Sequence, residues 1–244
     1  MHGMKGSNIR INSTRFKVYF CVCYERQVRY MLHSTRFLIV TSNRKRKSLE
    51  FLINKNNECA VIEIIDYSML NMTALSKYSM VLVCIESPSD LLRYMIMGDY
   101  NERIIHILNY DCDLLKRAQL DKRIYHAAGK LVETIEGLSD IVTGNSILTL
   151  NCSDILCFLK DKSVLCQITQ GSKEVALYDM VCNWLHKRGM VSCLLHVTGK
   201  LVLQDVMDIY KWMKPTSPSE YMFGCKYCDV PWVRVFSFWT MEKV

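Results

Sequence analysis

Apolar runs of strand length recur through the first half of this chain, at residues 37–40, 60–65, 80–85 and 104–108, with helical or irregular material between them. Runs of this length bounded by polar segments read as β-strands. A further run, residues 16–22, precedes them, and a helical stretch through Arg29, Met31 and Leu32 leads to the next. Strands alternating with helical segments predict an α/β layer built on a parallel sheet.

A chain of 244 residues can bury one large core or two modest ones. The apolar runs fall far short of the roughly 20 residues that cross a bilayer. No secretory-type segment opens the sequence, so the twelve cysteines read as reduced thiols of a cytoplasmic protein. The net charge of +7 is concentrated around Arg44-Lys45-Arg46-Lys47. Such a cluster attracts anions, yet no aromatic stacking platform accompanies it, and a solvated basic segment is expected in preference to a nucleic-acid surface.

Beyond residue 119 the pattern changes. Ile124, Ala127, Ala128, Leu131, Ile135, Leu138 and Val142 recur at intervals of three and four, which predicts a long amphipathic helix over residues 120–143. Asn151, Ser153 and Asp154 then form a polar turn before the helical Ile155-Leu156-Cys157-Phe158-Leu159, where Asp154 is suited to cap the new helix. Strands are expected at 164–169 and 190–197, and helices at 174–186 and 203–213, the latter stopped by Pro215. Residues 221–226 and 232–239 read as a closing hairpin.

The run Gly137-Leu138-Ser139-Asp140-Ile141-Val142-Thr143, with Thr149, Asn151 and Asp154 in the following loop, resembles the junction after the central helix of FtsZ, the tubulin-like cell-division GTPase of bacteria. Two later stretches are similar to that family's C-terminal domain. They are Cys193-Leu194-Leu195-His196-Val197-Thr198-Gly199, and Gly224, Asp229 and Val233-Arg234-Val235. The resemblance implies a tubulin/FtsZ-like fold, with a reduced Rossmann-like nucleotide domain at 12–119, the central helix at 120–143 and an α/β C-terminal domain at 144–241. It implies GTP as ligand and self-association or an FtsZ-type filament as the partner. It assigns Asp154 and Asn151 to the loop that acts on a neighbour's nucleotide, and Asn109, Asp111 and Gly129 to the GTP site. The family's C-terminal membrane-adaptor peptide is not expected.

The phosphate cradle of that family departs from this sequence. Glycine turns let backbone N–H groups approach an anion closely, but no glycine lies between Gly6 and Gly98. The 80–85 run passes instead into Glu86-Ser87-Pro88-Ser89-Asp90, and Ile124 falls where the family stacks an aromatic ring on the base. GTP turnover is therefore expected to be weak or lost. The alternative is a non-catalytic module that binds or caps another filament. Cys225-x-x-Cys228 has ligand spacing for zinc, but a structural site needs four ligands and no second pair lies nearby, so no metal is expected. His106, His126, His186 and His196 sit within apolar segments and read as core histidines.

Overall fold

A computed structural model describes residues 35–55, 60–70, 72–96, 102–143, 146–148, 150–185, 192–213 and 220–240. The expected strand at 16–22 and His186 lie outside them. Ten strands are described: β1 (Thr35–Thr41), β2 (Ala60–Asp66), β3 (Met80–Ile85), β4 (Ile104–Asn109), β5 (Arg123–His126), β6 (Ser146–Leu148), β7 (Ser163–Gly171), β8 (Ser192–Gly199), β9 (Glu220–Tyr227) and β10 (Val233–Thr240). They form one sheet in the order β2-β1-β3-β4-β5-β7-β10-β8-β9-β6. From β2 to β7 every pairing is parallel. β10 then runs antiparallel between β7 and β8.

Among the described residues seven α-helices flank it: α1 (Asn43–Leu49), α2 (Pro88–Ile96), α3 (Asp113–Lys116), α4 (Leu131–Thr143), α5 (Cys152–Leu159), α6 (Lys173–Leu185) and α7 (Leu203–Met213). Leu49 of α1, Ile135 and Leu138 of α4 and Phe158 of α5 pack with Ile39, Leu82, Ile107 and Phe236 in one core. Tyr94 of α2 and Leu115 of α3 pack with Val40, Val83 and Leu108 in a second. Because successive side chains of a strand point to opposite faces, these two cores cover the two sides of the same strands. A third core sets Leu177 of α6 and Ile209 of α7 against Val197, Val235 and Trp239.

Two expectations are corrected. The helix foreseen over 120–143 begins at Leu131, and Arg123–His126 is a strand. Ile124 and Tyr125 are both buried and belong to opposite cores, which is the period of a strand and not of a helix. Gly129, at φ +74°, then turns the chain into α4. The pairing of Arg123 with Ser163 carries the sheet from β5 into β7, across the boundary expected between the two halves.

The final strands also do not form a hairpin. β8 lies between them, parallel to β9 and antiparallel to β10. Every residue of β8 is buried, so the strand is covered on both faces as well as paired on both edges. The connection crosses the end of β8 at Gly199, whose carbonyl accepts the Cys228 N–H at 2.9 Å. A Cβ there would stand 2.9 Å from the Trp232 carbonyl oxygen, so glycine makes room for the crossing.

Gly137 has a similar reason. A Cβ at this point of α4 would lie 2.4 Å from Cδ1 of Phe236, a ring with no exposed surface on β10. Alanine is the better helix former by about 1 kcal/mol, but overpacking a filled core costs about 1–3 kcal/mol. Gly137→Ala is expected to lower the urea midpoint despite its helix propensity, and Phe236→Leu in the same chain to recover part of the loss. A midpoint raised by Gly137→Ala would show that α4 does not rest on Phe236.

Candidate functional site

β1 and β3 are neighbours whose onward connections leave in opposite directions, β1 through α1 to β2 and β3 through α2 to β4. The helices fall on opposite faces of the sheet. This is the topological switch point of a doubly wound sheet, and ligands of such folds bind in the crevice at the carboxyl ends of its strands.

The crevice is lined by charge. Lys45 Nζ on α1 lies 2.6 Å from Glu86 Oε2, directly after β3. The other oxygen of Glu86 lies 3.4 Å from Nε2 of His126 at the end of β5. His126 has no exposed surface, and its Nδ1 sits 2.8 Å from the Ala127 carbonyl oxygen. A carbonyl can only accept, so Nδ1 carries the proton and Nε2 of the neutral ring presents a lone pair to the carboxylate. Burial holds the imidazole below its usual pKa, against the pull of the Ala127 carbonyl and Glu86.

Asn109, Asp111 and Gly129 are brought together at the same edge. Asn109 Oδ1 accepts the Asp111 N–H at 3.0 Å, and Asp111 Oδ2 accepts the Ala128 N–H at 3.0 Å, one residue before Gly129. Asp66, at the end of β2, accepts the N–H and hydroxyl of Ser68 at 3.0 and 2.8 Å. Burial pushes the Asp66 carboxyl up, but those hydrogen bonds hold it below the usual carboxylate range. A nucleoside triphosphate would bring its negative charge against Glu86, Asp66 and Asp111, with Lys45 already paired. Among the described residues these carboxylates oppose a phosphate chain.

Asn151 and Asp154 stand together at the start of α5. Asn151 is the N-cap, accepting the Asp154 N–H at 2.9 Å, and the Asp154 carboxylate returns to the Asn151 N–H at 3.0 Å. The cap expected of Asp154 thus belongs to Asn151, while Asp154 completes a reciprocal capping box from the third helical position. This first turn of α5 borders an open cleft of about 850 Å³ whose walls include Ser79, Arg103 and Lys122, the residues just before β3, β4 and β5, with Cys152, Ser153 and Lys160. The two groups therefore sit at opposite ends of the parallel strands.

His106 closes the floor of that cleft. Its Nδ1 donates to the Asp121 carbonyl at 2.5 Å and its Nε2 accepts from the Tyr94 hydroxyl at 3.0 Å. Burial pushes its pKa down to about 4, against that carbonyl. His196 is buried on β8, and neither ring nitrogen has a hydrogen-bond partner among the described residues. Burial lowers it to about 4 as well. Cys225 is a buried thiol that burial pushes up to about 12. Among the described residues no three His, Cys, Asp or Glu side chains are grouped to hold a metal. No described helix is long and apolar enough to cross a membrane.

No protein-family model and no curated protein matches the sequence. Solved structures do. CetZ from Methanosaeta thermophila aligns over 86% of this chain and 87% of its own, with a TM-score of 0.56 at 11% identity. CetZ2 from Haloferax volcanii, solved as a GTPγS-bound protofilament, aligns over 86% and 94%, with a TM-score of 0.56 at 9% identity. TubZ from Bacillus thuringiensis, solved as GDP-form protofilaments, aligns over 85% of each chain, with a TM-score of 0.51 at 9% identity. The chain has the tubulin/FtsZ-like fold. The likeness reaches the fold these proteins share and does not single out FtsZ.

Two outcomes follow from the site geometry. A histidine held at about 4 in the folded chain and near 6.5 when unfolded takes up protons preferentially in the unfolded state between those values. Stability is therefore full above pH 6.5 and falls as pH drops toward 4. Urea midpoints across that range should show the loss, and His196→Leu should flatten the slope; an unchanged slope would remove His196 as a cause. Asn151→Ala, which takes away the N-cap acceptor, is expected to cost about 0.5–2 kcal/mol by the same measurement.

Proposed function

We propose that this protein is a subunit of a tubulin-like filament system that associates end to end and turns over little or no GTP. The observation that carries this reading is the placement of the crevice and the α5 capping turn at opposite ends of one set of parallel strands. A contact between unlike ends is heterologous and propagates into an open filament unless the rotation closes it. CetZ2 and TubZ, solved as protofilaments, share this fold and support the reading. Asp154 and Asn151 are proposed to sit in that contact, where the family resemblance puts a carboxylate against the next subunit's nucleotide. The FtsZ-type role in division and a cytoplasmic location are part of the same proposal.

The charge of the crevice favours a second reading of the same surface, a non-catalytic module that caps another filament. Its carboxylates oppose a nucleotide and leave a protein partner as the occupant. Sedimentation velocity over a range of concentrations separates the two. Concentration-dependent growth into linear oligomers, reduced by Asp154→Arg, supports self-assembly. A monomer at every concentration supports the capping module.

Nucleotide dependence is measured separately. A ligand present at 100 times its Kd and specific to the folded state stabilises by about 2.7 kcal/mol, a readily measured thermal shift. GTP is expected to leave the melting temperature unchanged. A shift with GTP and none with ATP would establish a working nucleotide site.

A further inference from the structure

At the carboxyl edge of the sheet, the donors of successive strand ends are taken by carboxylates of the chain itself. Asp66 takes the Ser68 N–H after β2 and Asp111 takes the Ala128 N–H after β4. After β3, Asp90 accepts the Ser87 hydroxyl at 2.8 Å, in the first turn of α2. Glu86 takes the ammonium of Lys45, which rises from α1 after β1. We infer that Glu86 is a built-in counter-anion: its carboxylate occupies the place and the partner of a phosphate group, and masks a latent site for pyrophosphate-like anions at Lys45. The inference rests on the reading that this fold is held without GTP, and it says what stands in the nucleotide's place.

Three features support it. The pair bridges the switch point, tying α1 to the end of β3, where a ligand of this fold class binds. Lys45 belongs to the basic run Arg44-Lys45-Arg46-Lys47, in which Arg46 has Glu50 at 4.0 Å, so removal of Glu86 takes from Lys45 the carboxylate that lies 2.6 Å from its ammonium. Behind the pair, the buried His126 turns a bare Nε2 toward Glu86 at 3.4 Å, with no hydrogen-bond donor between them. A neutral amide in place of the carboxylate would leave the charge of Lys45 uncompensated and offer its N–H₂ to His126, so Glu86→Gln keeps the shape and is expected to fold.

Isothermal titration of the full chain with pyrophosphate, and separately with GTP, tests the inference. The wild type is expected to take up neither at millimolar concentration. Glu86→Gln should bind pyrophosphate at least tenfold more tightly than the wild type, and Lys45→Met added to it should abolish the gain. Glu86→Ser provides the same reading if the glutamine variant does not fold. The inference is overturned if the wild type binds either ligand as tightly as the variants, if neither variant gains affinity, or if the gain survives Lys45→Met. Self-association of the wild type, read by sedimentation, does not enter these outcomes, so failure of the filament proposal is seen separately.

Discussion

The close approach of α4 to Phe236 determines how the rest of the molecule is arranged. α4 follows β5 directly and rests on β10, two strands further along the sheet. It thus covers the seam where the parallel β5–β7 pairing meets the antiparallel β7–β10 pairing. Only a residue without a side chain lets the helix axis come that near a buried ring, and Gly137 is that residue. Arg234 on the same strand adds an ion pair to Glu136 of α4 at 2.7 Å, and Lys226 of β9 reaches Asp140 at 3.2 Å. Both pairs are partly exposed, so they orient the helix more than they stabilise it.

Orientation at the seam decides where the two ends of the molecule point. The turn through Gly129 enters α4 at the carboxyl edge of the strands, beside Asp111 and His126, and the chain returns from α5 into β7 at the amino edge. One helix therefore links the crevice to the capping turn of α5. α4, seated on Phe236, is thus an element shared by the two ends of the molecule. That element is packed side chains, and packed cores move between discrete arrangements in preference to deforming smoothly.

The sequence disclosed these parts unevenly, for physical reasons. The runs at 37–40, 80–85 and 104–108 are near-continuously apolar because β1, β3 and β4 are covered on both faces, whereas the edge strand β2 alternates buried and half-buried residues, and both signals need no context. β5 is four residues long, and its Ile124 also fits the helical spacing continued by Leu131 and Ile135, so the period of the longer element absorbed it. The order of β8, β9 and β10 depends on Gly199 and a short crossing, and a turn-sized gap in sequence reads equally as a hairpin. Asn109, Asp111 and Gly129 were named through the family resemblance, with Gly129 expected inside a helix, and the structure brings them to one edge through the Asp111–Ala128 hydrogen bond. The Lys45–Glu86–His126 group was not legible, because its members come from three separate elements and meet only once the sheet has formed.

The electrostatic character of the crevice follows from the same point. Each carboxylate there has a local role that chemistry alone explains: Asp66 and Asp90 order turns, and Asp111 joins one strand end to the next. Each role is commonplace for Asp after a strand. Their sum is not, since they share one edge with a buried, unprotonated histidine and a lysine that finds its counter-charge inside the chain. An edge that satisfies its own donors needs no anion to become ordered. On the function proposed above, the ordering that a nucleotide would supply is built into the folded chain, and the crevice keeps its shape for another protein surface.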